Sequence, residues 1–344
     1  MTVPNGPMPA VLGATLGRAL APVYGMVVTH RNRRFDAGVG VVRLDRPVIS
    51  VGNLSVGGTG KTPMVRWVCE RLLDAGATPA IAMRGYKSAG GESDEAMEYA
   101  DALPGVPVVA QPDRTAGLRA LFATDAGSAV NAVVLDDGFQ HRRIARDLDI
   151  VLIDCCRPVA GARLLPAGWL REPMASLARA HAVVLTHAER ASKAEVDEAQ
   201  SVVAAHAPGV PIAVCEHAWA SLRVGEETHG VDWLLGKRVA VACAIGNPAA
   251  FIAGIRGAGA KIAAEVVLRD HDAFGRAAAA RIEAAMSSAD ALVVTEKDWV
   301  KIRRTNLAES EFPIVRPSLA MCFREGEDGL AGRVRALVQP AAPA

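Results

Sequence analysis

The chain has 344 residues, 51% of them hydrophobic and only 4% aromatic; that length exceeds one ordinary core and predicts two domains built mainly from Ala, Val, Leu and Ile. A formal net charge of +1 excludes a general nucleic-acid binder, and no nucleic-acid partner is expected. The six cysteines form no C-x-x-C pair, which predicts reduced thiols in a cytosolic setting and no structural zinc.

Residues 1–34 carry Arg18, Arg31, Arg33 and Arg34 and no acid. The uncharged stretch 19–29 is interrupted by Pro22 and falls short of the roughly 20 apolar residues that span a bilayer. No small-residue cleavage site marks a signal peptide. Two readings follow from the residues: a helix capping the first domain, or an amphipathic helix in a membrane interface with its arginines on lipid phosphates.

The next segment is the most telling. A β-branched run at 48–51 leads into Ser55-Val56-Gly57-Gly58-Thr59-Gly60-Lys61-Thr62, a glycine-rich turn that opens a helix. Glycines let backbone N–H groups turn onto a phosphate, Lys61 reaches the β- and γ-phosphates, and the Thr62 hydroxyl suits Mg²⁺. ATP and Mg²⁺ are the implied cofactors. Ser55 stands where the G-x-x-x-x-G-K-[ST] pattern has glycine, which requires its φ to stay negative. Met64, Val65, Val68 and Leu72 form one helical stripe that stops at Gly76, and Pro63 falls in the first turn, where its missing N–H does no harm.

Strand-like runs follow at 79–83, 107–110, 132–135, 150–153, 182–185 and 212–214, separated by helical or loop segments. The alternation predicts a mostly parallel α/β sheet. Residues 216–235 break the rhythm and read as a hairpin-like linker. A second, smaller alternation occupies 239–244, 262–267, 292–295 and 313–315, and the tail 339–344 is expected to be disordered. Asp136-Asp137-Gly138 closes the strand at 132–135. Acids at the carboxyl end of a parallel strand face the ligand edge of an open sheet, so Thr62 with Asp136 or Asp137 makes half of a Mg²⁺ shell.

The order of several blocks resembles the tetraacyldisaccharide 4′-kinases, the lipid A 4′-kinases of Gram-negative bacteria. The blocks are SVGNLSVGGTGKTP at 50–63, DDGFQH at 136–141 with RDLD at 146–149, LPAGWLREP at 165–173, DHDAF at 270–274 and TEKDWVK at 295–301. The resemblance implies transfer of the γ-phosphoryl group of ATP to the 4′-hydroxyl of an acylated glucosamine disaccharide 1-phosphate. It also implies two α/β/α domains with mostly parallel sheets, the first P-loop NTPase-like, a hairpin-like linker and a membrane-associated N-terminal helix. The expected division is 1–34 for that helix region, 35–215 for the kinase domain, 216–235 for the linker and 236–338 for the smaller domain. A multi-acylated substrate cannot leave the bilayer cheaply, at about 0.8 kcal/mol per exposed CH₂, so the expected site of action is a membrane surface with anionic lipids. That surface is the cytoplasmic face of the bacterial inner membrane, met by a peripheral or monotopic monomer.

Residue roles follow by resemblance. Lys61 is the main cationic clamp, Arg171 a second cation and Glu172 a further Mg²⁺ ligand. Ser93-Asp94-Glu95 matches a Gly-Asp-Glu motif, with Asp94 as the base and His271 as the partner that tunes it. Asp94 would lie in the first domain and His271 in the second, so their pairing would need the domains to close. Asp94 can equally open a helix capped by Ser93. Arg114, Gln140 and His141 are placed on the substrate's sugar or 1-phosphate. Thr295 to Asp298 is either a polar cluster at the ligand edge or a structural group. Two other classes fit a Gly-Lys-Thr loop. One is a regulatory ATPase of the partitioning or metal-insertion type, many of which carry an extra lysine where this chain has Leu54-Ser55-Val56. The other is a non-catalytic membrane adaptor.

Overall fold

In the computed structural model of the chain, the described residues are 10–85, 94–157, 159–270, 272–309 and 312–339, the side chains of 10–15, 94, 308 and 309 excepted. The chain forms two compact units.

The first unit holds helix α1 (Ala10–Asp36) and seven parallel strands. In chain order these are β1 (Val48–Asn53), β2 (Pro79–Met83), β3 (Val108–Ala110), β4 (Ala132–Asp136), β5 (Leu148–Asp154), β6 (Ala182–Thr186) and the first half of β7 (Ile212–Val224). Their order across the sheet is β7-β6-β5-β1-β4-β2-β3. Strands β1, β2, β4, β5 and β6 are buried along their whole length, as expected for parallel strands covered on both faces. Register brings Val51 opposite Asp136 and Asn53 opposite Leu152, so the ends of β4 and β5 flank the end of β1. Helix α2 (Lys61–Asp74) packs on β1 and β4; its buried face includes Met64, Val65, Val68 and Leu72, and left-handed Gly76 follows its end. Helices α4 (Arg114–Phe122), α5 (Asp125–Ser128) and α6 (Lys193–His206) complete the cover.

The second unit contains α3 (Asp94–Ala102) up to Asp101, the hairpin of distal β7 with β8 (Glu227–His229), and four parallel strands in the order β10-β9-β11-β12. These strands are β9 (Arg238–Cys243), β10 (Lys261–Val267), β11 (Ala291–Val294) and β12 (Ile314–Glu325). Their helices are α7 (Pro248–Gly257), α8 (Arg276–Met286) and α9 (Glu296–Ile302). The hairpin pairs Leu222 with His229 and Val224 with Glu227 around left-handed Gly225, within the stretch read as a hairpin-like linker.

Two segments join units other than those expected from sequence. Helix α3, which carries Asp94, belongs to the second unit, because Arg303 on the loop after α9 pairs with Asp101 at 2.7 Å and Arg304 reaches the Met97 sulfur. The chain from Met321 onward returns to the first unit. There α10 (Glu327–Ala336) packs on α2, Phe323 lies against Trp67 with ring centroids 5.1 Å apart, and the Trp67 indole N–H donates to Glu327 at 3.3 Å. All six cysteines are unbridged. The expected disordered tail lies, from 340 on, outside the described residues.

Candidate active site

Loop 54–60 is fixed by bonds that leave its crest open. The Asn53 amide donates to the Thr59 hydroxyl at 2.8 Å, both groups being buried. Ser55 forms an antiparallel bridge with Leu170, and the Val56 N–H donates to the Trp169 carbonyl at 2.8 Å. Among the described non-glycine residues, only Asp137, His187 and Phe274 have positive φ, so Ser55 makes its turn without left-handed strain. Gly57 and Gly60 do take the left-handed region, at φ 102° and 82°, where a Cβ would be strained. Around Gly58 nothing lies within 4 Å of a Cβ position. Gly60 is the N-cap of α2 and offers no side-chain cap bond, so no cap side chain consumes the first N–H groups of α2. Such an end attracts anions.

Asp137 gathers the charged groups beside this loop. It follows β4 in a left-handed conformation, φ 49°. Lys61 Nζ stands 3.6 Å from one carboxylate oxygen and Arg171 donates to the other at 2.8 Å. Arg114, itself buried, donates to the Asp137 carbonyl at 3.4 Å. Burial alone would push the Asp137 pKa up, but the Lys61 and Arg171 cations outweigh it and hold the carboxyl below its ordinary value. Gln140 donates to the Asn53 carbonyl at 2.8 Å and its amide oxygen accepts from Arg171 at 3.5 Å. His141 is pushed down to about 4 by burial and by Arg114, Arg146 and Arg143, so its imidazole is neutral at pH 7. Lys61, Arg114, Asp137, Gln140 and Arg171 are therefore brought into one linked group in the first unit.

The donors near the loop are hard oxygens, the Thr62 hydroxyl and the Asp136 and Asp137 carboxylates, and these suit Mg²⁺. No group of three or more Cys, His, Asp or Glu side chains set to hold a metal occurs among the described residues.

Glu172 departs from the expected metal ligand. Its side chain is fully buried, and its two oxygens accept from Arg31, Asn32 and Arg179, each at 2.9 Å. With its oxygens committed to those donors, it anchors α1 to the loop that carries Arg171. Tyr24 of α1 adds a hydrogen bond to the Arg171 carbonyl at 2.9 Å. Sequence spacing could not reveal this role, because two of the three partners, Arg31 and Asn32, lie some 140 residues away.

In the second unit, Asp94 starts α3, its side chain lying outside the description, as do Ser93 and His271. The neighbours of 271 are pinned from α9: Lys297 Nζ is 3.3 Å from the Asp270 carboxylate and Lys301 donates to the Asp272 carbonyl at 3.0 Å. Thr295 to Asp298 is a capping group. The Thr295 hydroxyl accepts from the Asp298 N–H at 3.1 Å and donates to its carboxylate at 2.7 Å, which also accepts the Ala244 N–H at 3.0 Å. Sequence reasoning assigned nothing to Asp154, Thr186, His187 or His217. The Thr186 hydroxyl donates to the Thr59 carbonyl at 3.0 Å. The signal was available, since Asp154 and Thr186 end parallel strands at the ligand edge.

Comparison with known proteins places this geometry. A family model described as tetraacyldisaccharide-1-P 4′-kinase matches residues 14–337. A tetraacyldisaccharide 4′-kinase of Geobacter sulfurreducens is 39% identical over 315 residues, covering 85% of each chain. One from Anaeromyxobacter dehalogenans is 38% identical over 322 residues, covering 86% of this chain and 83% of its own. Among solved structures, LpxK from Aquifex aeolicus in complex with ATP superposes with a TM-score of 0.73 at 28% identity, covering 94% of this chain and 99% of the other. With a glycine-capped phosphate loop, paired acids at the adjacent strand end and a family match over nearly its whole length, the chain belongs to the tetraacyldisaccharide-1-P 4′-kinase family.

Proposed function

We propose that this chain transfers the γ-phosphoryl group of ATP to the 4′-hydroxyl of an acylated glucosamine disaccharide 1-phosphate, with Mg²⁺ as the metal. The observation that carries the reading is the convergence of Lys61 and Arg171 on Asp137 beside a helix capped by left-handed Gly60. Loop N–H groups within residues 55–62, other than the Val56 N–H that bonds Trp169, bind the β- and γ-phosphates. Lys61 and Arg171 exchange part of their pairing with Asp137 for the phosphoryl oxygens, where charge spreads in the transition state. Thr62, Asp136 and Asp137 would hold the metal, which would supply neutralisation of phosphate charge. Asp94 accepts the proton of the attacking hydroxyl and His271 tunes it. Arg114, Gln140 and neutral His141 orient the sugar or its 1-phosphate. The regulatory-ATPase reading predicts turnover indifferent to lipid. ATP turnover with and without the acylated disaccharide therefore tests the proposal: strong lipid dependence is expected, and activity that ignores the lipid sinks it.

The same reading puts a monomer on the cytoplasmic face of the inner membrane through α1. No helix among the described residues is long and apolar enough to cross a membrane. Yet α1 exposes Leu16, Leu20, Val23, Met26 and Val27 between arginines, the pattern of a helix lying in an interface. Beside it, Arg18, Pro22, Gly25, Arg163 and Leu164 line a cavity of about 450 Å³. Deleting residues 10–34 should release the protein from anionic vesicles, and salt should weaken binding without abolishing it. Undiminished co-sedimentation of the truncated protein would contradict the membrane role.

A further inference from the structure

We infer that Asp154 is a positioning residue for the phosphate loop, gripping both left-handed glycines of that loop through two side-chain arms. Asp154 ends β5 and is buried, with 8% of its surface exposed. Its two oxygens serve different partners. One faces Arg157 Nε at 3.4 Å. The Arg157 guanidinium donates to the Val56 carbonyl and lies against Gly57, where a Cβ would fall 2.5 Å from a guanidinium nitrogen. The other oxygen accepts from His187 Nδ1 at 2.9 Å. His187 is itself left-handed, φ 58°, and its ring lies against His217 with centroids 4.6 Å apart and planes at 38°. The His217 ring meets Gly60 in turn, where a Cβ would fall 2.5 Å from Nε2. Neither ring nitrogen of His217 has a hydrogen-bond partner, so packing against His187 and the loop sets the ring's place.

Both arms thus end on the backbone of the loop, at the two residues whose φ values shape it, and not in the hydrophobic core. The Cys156 N–H, bonding Asp154 at 3.0 Å, fixes the carboxylate from its own turn, and the Thr186 bond to Thr59 steadies the middle of the loop. A loop held in its binding shape binds at its intrinsic affinity. One that visits that shape only part of the time binds more weakly by that fraction. Asp154 therefore acts on ATP affinity, while the groups that meet the phosphoryl oxygens, Lys61 and Arg171, keep their places.

The inference rests on residues 55–62 being the ATP loop, and the test separates the two ideas. Steady-state kinetics varying ATP and the lipid disaccharide, with thermal unfolding midpoints, would be measured for D154N, R157A, H217A, R157A/H217A and K61A. D154N should raise the KM for ATP by about tenfold, change kcat by less than about threefold, and leave the KM for lipid unchanged. R157A and H217A should each do part of this, and the double variant should match D154N. Should D154N fail to fold, R157A/H217A, whose side chains are both partly exposed, carries the same test. An ATP KM within about twofold of wild type in these variants, beside an inactive K61A, overturns the role of Asp154 and leaves the ATP loop standing. A K61A protein of wild-type activity overturns the loop itself. An equal rise in KM for both substrates would reveal a general structural defect and also count against the inference.

Discussion

Two junctions of this chain run from a buried parallel strand through a threonine and a lysine into a helix. At the end of β1, Thr59-Gly60-Lys61-Thr62 opens α2; at the end of β11, Thr295-Glu296-Lys297-Asp298 opens α9. In the second, the Thr295 hydroxyl caps the helix, and the fully buried Asp298 carboxylate accepts from that hydroxyl and from Ala244. The polar groups satisfy one another, and Lys297 turns to Asp270. In the first, Gly60 supplies left-handed geometry and no side-chain acceptor, so no cap side chain meets the helix donors, while Lys61 faces Asp137. The difference lies in the cap residue. A side-chain cap stabilises a helix end by about 1 kcal/mol, whereas a glycine cap leaves the N–H groups for an anion.

The comparison breaks most readily at Lys61. Lys61→Ala should lower kcat by at least about a hundredfold, as loss of one preorganised charge stabiliser does, with the unfolding midpoint nearly unchanged. Wild-type turnover in a well-folded variant would remove the first junction from the chemistry. In the proposed mechanism the second unit contributes through a different pair. Asp94→Ala should cost kcat about a hundredfold or more, and His271→Ala should also lower it strongly, with little change in the KM for ATP. If they act as one unit, the double variant should be scarcely worse than Asp94→Ala; fully multiplicative losses would show independent roles. Since α3 belongs to the second unit, this coupling needs no closure between a first-domain Asp94 and a second-domain His271.

At the other junction the expectation reverses. Thr295→Ala should lower stability by about 1 kcal/mol and leave kcat within about twofold. A collapse of kcat at full stability would make α9 part of the reacting site. A smaller effect concerns pH. Burial and neighbouring cations hold His141 at about 4, and burial beside His187 does the same for His217, against an ordinary 6.5. Between those values the unfolded chain binds more protons than the folded one, so stability rises with pH there and is lost as pH falls from about 6.5 towards 4. His217→Asn should flatten that slope in denaturant midpoints taken across pH; an unchanged slope would mean the folded protein does not hold the ring neutral.

How much of this was legible in the sequence depended on how local the cause was. The strand alternation, the glycine turn with Lys61 and the acids after β4 are each written within a dozen residues, and the buried β-branched runs became strands as their pattern requires. The hairpin at Gly225 was signalled by its turn residues. What escaped was set by distant partners. Glu172 reads as a metal ligand until Arg31 and Asn32, some 140 residues away, close on it beside the nearby Arg179. The α3 segment neighbours β2 in sequence but is drawn to the second unit by Arg303 and Arg304. The return of α10 to α2 rests on Trp67 meeting Phe323, and no periodicity announces it. Thr295 and Asp298 show the same limit in reverse, a polar motif whose groups turn out to satisfy one another.

Labelled γ-phosphate tests the central claim most directly. With ATP carrying that label and the acylated glucosamine disaccharide 1-phosphate as acceptor, wild type and Thr295→Ala should place the label on the 4′-oxygen at similar rates. Lys61→Ala should do so at least about a hundredfold more slowly. Label recovered only as inorganic phosphate, or equal transfer by Lys61→Ala, would contradict the account.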